Sequence, residues 1–185
     1  MVDQVMSRRS VLEGLILPAR EGIVSVMEAA PAARFIYRGD AGLIGDTLGM
    51  ALPTTPMRAH TSGSCAALWL GPDEWLLLAV ADEQSSIAIT LSSALAGKPA
   101  ALVDVGHRQV GLTVSGPRAA TLLNAGCPLD IDESAFPVGM CTRTILAKAE
   151  IVLWRTECHA FRMEIARSFA PYAVAFLAEA LHGID

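Results

Sequence analysis

A repeated order of elements, two short strands followed by one helix, most constrains what this chain can fold into. In residues 65–98, two apolar runs flank the turn sequence Gly-Pro-Asp-Glu, and apolar residues at helical spacing follow them. Residues 102–127 repeat the same order. Strands joined by tight turns pair antiparallel, whereas parallel strands need long crossovers. The pattern therefore predicts an α+β fold whose antiparallel sheets are covered by helices, rather than a doubly wound parallel sheet.

Residues 102–127 show the repeated unit most clearly. The first strand is predicted from Leu102, Val103 and Val105, and the turn from Gly106 and His107. The second strand is predicted from Val110, Leu112 and Val114. Ser115 or Gly116 can cap the helix that follows, and Pro117 suits its first position. Gly126 ends it. The prediction is strand, tight turn, strand, helix.

Elements of the same kinds are predicted on both sides of the two units. Upstream, strands at residues 23–27 and 34–37 precede a short helix that Asp40 caps. The elements predicted downstream are strands at residues 142–147, 151–155 and 160–166, and a closing helix from Phe169 to about His182 with Ser168 as its cap. In the strand at residues 160–166, Arg162 and Glu164 alternate with apolar residues, which predicts one face in water.

Length and charge narrow the class of protein. The 185 residues predict an N-terminal arm at residues 1–22 and one folded domain at residues 23–185. The arm is expected to order against a partner, and a frayed terminus is the alternative. The formal net charge is −5 and the arginines are scattered along the chain. Nucleic acid is therefore not an expected partner.

The apolar content is high, but its distribution excludes a membrane span. Hydrophobic residues make up 52% of the chain, and the mean hydropathy is +0.43. Every apolar run is shorter than the ~18 residues that a bilayer span needs. The run after Arg8-Arg9 is also too short for a twin-arginine export signal. We expect a cytoplasmic protein with no membrane contact, whose surplus apolar surface meets another protein.

One turn groups residues that could carry chemistry. His107 lies near Asp104 and next to Arg108, and a histidine beside a carboxylate can act as a general base. An Asp in a turn more often accepts a hydrogen bond from its own backbone. We therefore expect His107 and Arg108 to be exposed residues of an interface rather than catalytic residues.

The cysteines and tryptophans favour structural roles. Cys65, Cys127, Cys141 and Cys158 are widely spaced, which predicts reduced and buried thiols. Cys158-His159 lacks the further neighbouring ligands that zinc needs. Trp69, Trp75 and Trp154 fall on predicted strands and are expected to be core or interface anchors. No catalytic, cofactor-binding or metal-binding residue is predicted in this chain.

The closing helix is apolar on almost every side. The residues predicted to face the sheet are Phe169, Tyr172, Ala173, Phe176, Leu177, Ala180 and Leu181. Val174, Ala175 and Ala178 are predicted on the opposite face, and a helix that is apolar all round is normally buried on both sides. Val174 and Ala178 are therefore predicted to contact a partner subunit.

Several motifs carry a family resemblance. Val-Asp-x-x-His-Arg at residues 103–108, followed by an apolar strand and Ser-Gly-Pro at residues 115–117, resembles the folate-binding domain of the aminomethyltransferase superfamily. The motifs at residues 70–77, 127–130, 136–139 and 161–169 resemble, more specifically, the gamma subunits of heterotetrameric sarcosine oxidase. The resemblance implies the folate-binding-domain fold, built from two related α+β halves.

The same resemblance implies a function. It describes a noncatalytic subunit of a complex that oxidatively demethylates sarcosine to glycine, transfers the one-carbon unit to tetrahydrofolate and forms H2O2. The partners it implies are the larger alpha and beta subunits and the small delta subunit, with FAD, FMN, NAD and tetrahydrofolate bound there and not in this chain. A free-standing folate-binding or one-carbon-transfer protein of the same superfamily is the alternative.

Overall fold

The computed structural model describes residues 9–184, which form eleven strands and four α-helices. The strands are β1 (Ala19–Arg20), β2 (Val24–Glu28), β3 (Ala32–Arg38), β4 (Ala59–Ser62), β5 (Cys65–Gly71), β6 (Glu74–Val80), β7 (Ala101–Asp104), β8 (Gln109–Ser115), β9 (Cys141–Leu146), β10 (Ala149–Glu157) and β11 (Ala160–Ala166). The helices are α1 (Gly45–Leu48), α2 (Gln84–Ala94), α3 (Ala119–Asn124) and α4 (Ala170–His182). The predicted α+β class is confirmed.

The strands form two antiparallel sheets. One sheet has six strands in the order β1-β2-β8-β11-β10-β9, and the other has five in the order β4-β5-β6-β3-β7. The predicted hairpin of β5 and β6 is present, with Trp69 opposite Trp75. The hairpin of β10 and β11 places Leu153 opposite Met163.

The two strands of the unit at residues 102–127 do not pair with each other. β7 pairs with β3 in the five-stranded sheet, whereas β8 lies between β2 and β11 in the six-stranded sheet. The turn between them is present, since the Arg108 N–H donates to the Val105 carbonyl at 2.9 Å. Val105 is buried between the sheets. The turn therefore carries the chain from one sheet to the other instead of closing a hairpin.

The molecule has four layers, with the two sheets inside and helices outside. α3 and α4 pack on the six-stranded sheet in the larger core, which includes Leu122 and Leu177. Leu91 and Leu95 cover the five-stranded sheet. A third cluster, which includes Leu68, Leu76, Cys141 and Val152, fills the space between the sheets. The prediction of antiparallel sheets covered by helices is confirmed.

Two helix starts differ from prediction. α3 begins at Ala119 instead of Pro117, and Arg118 rather than Ser115 or Gly116 precedes it at the cap position. Gly116 makes a close approach to the start of β2. Gly116 has a φ of +121°, and a Cβ there would lie 2.5 Å from the Ile23 carbonyl oxygen. α4 begins after a 3-10 turn at residues 167–169, so Ser168 is not its cap. Asp40 does cap its short helical turn, since its side chain accepts a hydrogen bond from the Gly42 N–H.

The described part of the predicted arm, residues 9–22, packs on this chain's own domain. Leu12 is buried in the larger core, and β1 extends the six-stranded sheet by pairing with β2. Arg20 donates hydrogen bonds to the carbonyls of Leu181 and Ile184. Residues 1–8 of the predicted arm, which contain half of the Arg8-Arg9 pair, lie outside the described residues. Among the described helices, none is long and apolar enough to span a membrane.

Candidate functional site

The turn between the two sheets exposes both of its predicted interface residues. His107 and Arg108 are exposed. Asp104 orders the turn beneath them, because its Oδ1 accepts from the Gly106 N–H at 2.8 Å and its Oδ2 accepts from Gln84 Nε2 at 2.5 Å. The expected bond from Asp104 to its own backbone is therefore confirmed. Whether a partner covers His107 and Arg108 stays a prediction.

The outward face of α4 differs from the predicted one. Val174 is 5% exposed and lies in the larger core, so its predicted contact with a partner is wrong. The residues of α4 buried on one side are Ala170, Ala173, Val174, Leu177 and Leu181. At 3.6 residues per turn these positions form one stripe, which includes Val174. Ala178 is half-buried at the margin of that stripe.

Aromatic side chains take the outward positions at the start of α4. Phe169 is 46% exposed and Tyr172 is 37% exposed, although both were predicted to face the sheet. Phe176 is half-buried, and its ring lies where a Cβ on Gly126 would clash with it. The first two turns of the helix thus present an aromatic surface of Phe169, Tyr172 and Phe176.

A buried ion-pair cluster joins the two sheets, and the sequence did not reveal it. Glu164 on β11 accepts hydrogen bonds from Arg34 on β3 at 2.6 Å and from Arg162 at 2.7 Å. Glu164 is 1% exposed, so the prediction that this face of β11 lies in water is wrong. The face meets the second sheet instead. Gly111 on β8 pairs with Glu164, and the absence of a side chain at Gly111 leaves room for the carboxylate.

A second ion-pair cluster lies at another point between the sheets. Glu74 on β6 accepts from Arg38 on β3 at 2.6 Å and from Arg143 on β9. The bond from Arg143, with a smaller contribution from Arg38, lowers the pKa of Glu74 despite its burial. Alternation of charged and apolar residues on β11 was the available signal for the first cluster. It predicts which face carries the charge but not what that face meets.

The cysteines and tryptophans hold mostly structural positions. Burial raises the pKa of the Cys141 thiol to about 12, so it stays protonated and behaves as a small apolar side chain. Cys158 is exposed, which corrects its predicted burial, and its bond to Glu133 raises the pKa of its thiol. Trp75 is buried, and its indole N–H donates to the Pro53 carbonyl at 2.8 Å. Within residues 9–184, no His, Cys, Asp and Glu side chains group closely enough to hold a metal ion.

Comparison with known proteins covers nearly the whole chain. Residues 37–182 match the model of the sarcosine oxidase, gamma subunit family. The sarcosine oxidase gamma subunit of Corynebacterium sp. strain U-96 is 31% identical, over 98% of this chain and 93% of that protein. The gamma subunit of Corynebacterium sp. strain P-1 is 30% identical over the same shares.

Solved structures agree with these relatives. A chain of the heterotetrameric sarcosine oxidase from Corynebacterium sp. U-96 superposes with a TM-score of 0.86 and 30% identity, over 95% of both chains. The aminomethyltransferase T of the glycine cleavage system from Bartonella henselae superposes with a TM-score of 0.64 at 12% identity. That match covers 84% of this chain and 45% of the other, and it shows a shared fold. The chain therefore belongs to the sarcosine oxidase gamma subunit family.

Proposed function

We propose that this chain is the gamma subunit of a heterotetrameric sarcosine oxidase and that it contributes to assembly rather than to the chemistry. The observation that supports this best is the full-length match to a chain of such a heterotetramer, with a TM-score of 0.86 over 95% of both chains. The reaction is the oxidative demethylation of sarcosine to glycine with formation of H2O2.

The larger subunits would supply the chemistry. In this proposal, the partners are alpha, beta and delta subunits, and FAD, FMN, NAD and the productive tetrahydrofolate site belong to them. The assembly works in the cytoplasm. The buried charges of this chain are consistent with a structural role, because Glu164 and Glu74 are each engaged by two arginines.

The surface proposed to meet a larger subunit is the aromatic surface of Phe169, Tyr172 and Phe176. Aromatic residues are enriched in the centres of protein interfaces, where they bury much area at little cost in conformational entropy. Arg108 lies next to the start of α4, because its carbonyl accepts a hydrogen bond from the N–H of Arg167, just before that helix, at 3.0 Å. His107 and Arg108 would form the polar rim of that interface.

Co-expression tests the proposal. The chain should co-purify with tagged alpha, beta and delta subunits from the same organism, and the assembly should form H2O2 from sarcosine. Tyr172→Glu should reduce recovery of the chain at least tenfold, because it places a charge in the interface. Ile89→Glu is the matched control, since Ile89 is an exposed apolar residue on α2, which packs on the other sheet.

Two results would count against the proposal. If the chain purifies alone and binds tetrahydrofolate tightly in calorimetry, the free-standing folate-binding alternative is favoured. If Tyr172→Glu and Ile89→Glu both assemble like the wild type, the surface around Tyr172 is not the interface. Circular dichroism of each isolated variant distinguishes a lost contact from a lost fold.

A further inference from the structure

The inner face of the six-stranded sheet is left uncovered at β2. Residues paired across neighbouring strands lie on the same face of a sheet, and one such row runs from Cys141 through Trp154, Arg162 and Thr113 to Met27. Cys141 belongs to the cluster between the sheets, so the whole row faces the five-stranded sheet. Cys141 is buried, the next three residues are half-buried, and Met27 is 61% exposed.

The inner face of the five-stranded sheet is uncovered at β7. Its corresponding row runs from Leu68 through Leu76 and Ile36 to Val103. Leu68 and Leu76 are buried between the sheets, Ile36 is half-buried, and Val103 is 53% exposed. The two sheets therefore part at one side, where an apolar side chain of each is exposed on its inner face.

The six-stranded sheet extends past the five-stranded one at this side. β3 lies over β8 and β11, because Arg34 bonds Glu164 and lies 3.1 Å from the position that a Cβ on Gly111 would take. β7 is the next strand after β3 and the last of its sheet, whereas β2 and β1 follow β8. The space between β7 and β2, which we call the sheet opening, is thus the place of a sixth strand beside β7.

The backbone of β7 can pair with such a strand. The Val105 N–H donates to the Arg34 carbonyl at 2.9 Å, so the ladder with β3 uses the backbone groups of every second residue, Val103 and Ala101. The N–H and carbonyl groups of Leu102 and Asp104 point the other way, to the free edge. Among residues 9–184, no second strand pairs with β7.

A second copy of this chain does not fit the sheet opening. Two β7 strands paired antiparallel would be related by a twofold axis perpendicular to their sheet, so each sheet of the second copy would lie in the same layer as its counterpart. Paired strands are about 4.8 Å apart. At that spacing, β2 of the second copy would meet β2 of the first.

We propose that an extended segment of a larger subunit pairs with the free edge of β7 and packs apolar side chains against Met27 and Val103. This inference rests on the proposed function. Main-chain bonds to a sheet edge hold a peptide in place, and alternate side chains of the peptide enter the adjoining surface. The sheet opening is also continuous with the predicted interface, since His107 and Arg108 follow β7 in the turn that leads to β8.

Hydrogen exchange followed by mass spectrometry tests the pairing in the isolated chain and in the co-expressed assembly. Exchange in peptides that cover Ala101–Asp104 should slow at least tenfold in the assembly, because the outward N–H groups gain acceptors. Peptides that cover β4, the opposite edge of the same sheet, are the control and should exchange equally in both samples.

Substitutions in the sheet opening test its apolar contacts. Val103→Lys should reduce recovery of the chain with the tagged larger subunits at least tenfold, because an inward-pointing charge blocks pairing at a sheet edge. Met27→Lys should reduce recovery several-fold. Ile89→Lys is the matched control at an exposed apolar residue on α2 and should assemble like the wild type. Circular dichroism of each isolated variant reports its folding.

Several results would overturn the inference. A wild-type assembly that forms H2O2 without slower exchange in β7 overturns it and leaves the proposed function standing, whereas a wild-type chain that does not assemble overturns both. Slow exchange of β7 already in the isolated chain would mean that this chain covers its own edge. Wild-type recovery of folded Val103→Lys and Met27→Lys variants would exclude the sheet opening, and if neither variant folds, the exchange measurement decides.

Discussion

Glu164 connects the two sheets through a single buried carboxylate. It accepts from Arg34 in the five-stranded sheet and from Arg162 in its own. Removing one member of a buried ion pair leaves the other charge without compensation and typically costs about 3–5 kcal/mol. We predict that Glu164→Gln lowers the free energy of unfolding by about 3 kcal/mol. Urea denaturation followed by circular dichroism measures it.

Glu150→Gln provides the control for this residue-scale prediction. Glu150 is an exposed glutamate on β10, and substitutions at such surface positions change stability by less than about 0.5 kcal/mol. A Glu164→Gln variant as stable as Glu150→Gln would mean that the cost of desolvating the carboxylate cancels what the ion pairs contribute.

At the scale of elements, α4 has a buried stripe that includes Val174 and an outer surface that includes Tyr172. Val174→Ala removes two methyl groups' worth of packing from the larger core. Each buried methylene contributes about 0.8 kcal/mol, and the cavity left behind adds to the loss. We predict that Val174→Ala lowers the free energy of unfolding by about 2 kcal/mol, measured by urea denaturation.

The same chemical change at an exposed valine is the matched control for α4. Val138 lies in the turn at residues 137–139 and is exposed, so Val138→Ala should alter stability by less than about 0.5 kcal/mol. Equal stability of Val174→Ala and wild type would show that Val174 is not in the core and would restore its predicted place at an interface.

At the scale of the whole molecule, the larger core and the cluster between the sheets should unfold together, because they lie on the two faces of the six-stranded sheet. Cys127 is buried in the larger core and Cys141 between the sheets. In a Cys65→Ser, Cys158→Ser background, we predict that both thiols are protected and become reactive at the same urea concentration. Thiol labelling with mass spectrometry measures each site. Reaction of Cys127 at clearly lower urea than Cys141 would show that the larger core opens before the space between the sheets.

Local patterns were sufficient for most elements. Apolar runs beside turn residues located β5, β6 and β10, period-two alternation located β8 and β11, and helical spacing located α2 and α4 within a few residues, because side-chain periodicity follows from local backbone geometry. The exposure of His107 and Arg108 also followed from local turn chemistry, in which Asp104 bonds its own backbone. The motifs around these elements carried the family resemblance.

The sequence by itself determined the α+β class, the order of elements and the family. Tertiary structure alone decided that β7 and β8 lie in different sheets, that Glu164 faces a second sheet instead of water, and that Val174 belongs to the buried stripe of α4. Alternation assigns a residue to one face of a strand or helix, but it carries no information on what that face meets. That depends on contacts between residues far apart in the chain, such as Arg34 and Glu164, whose partners are chosen only when the two sheets pack.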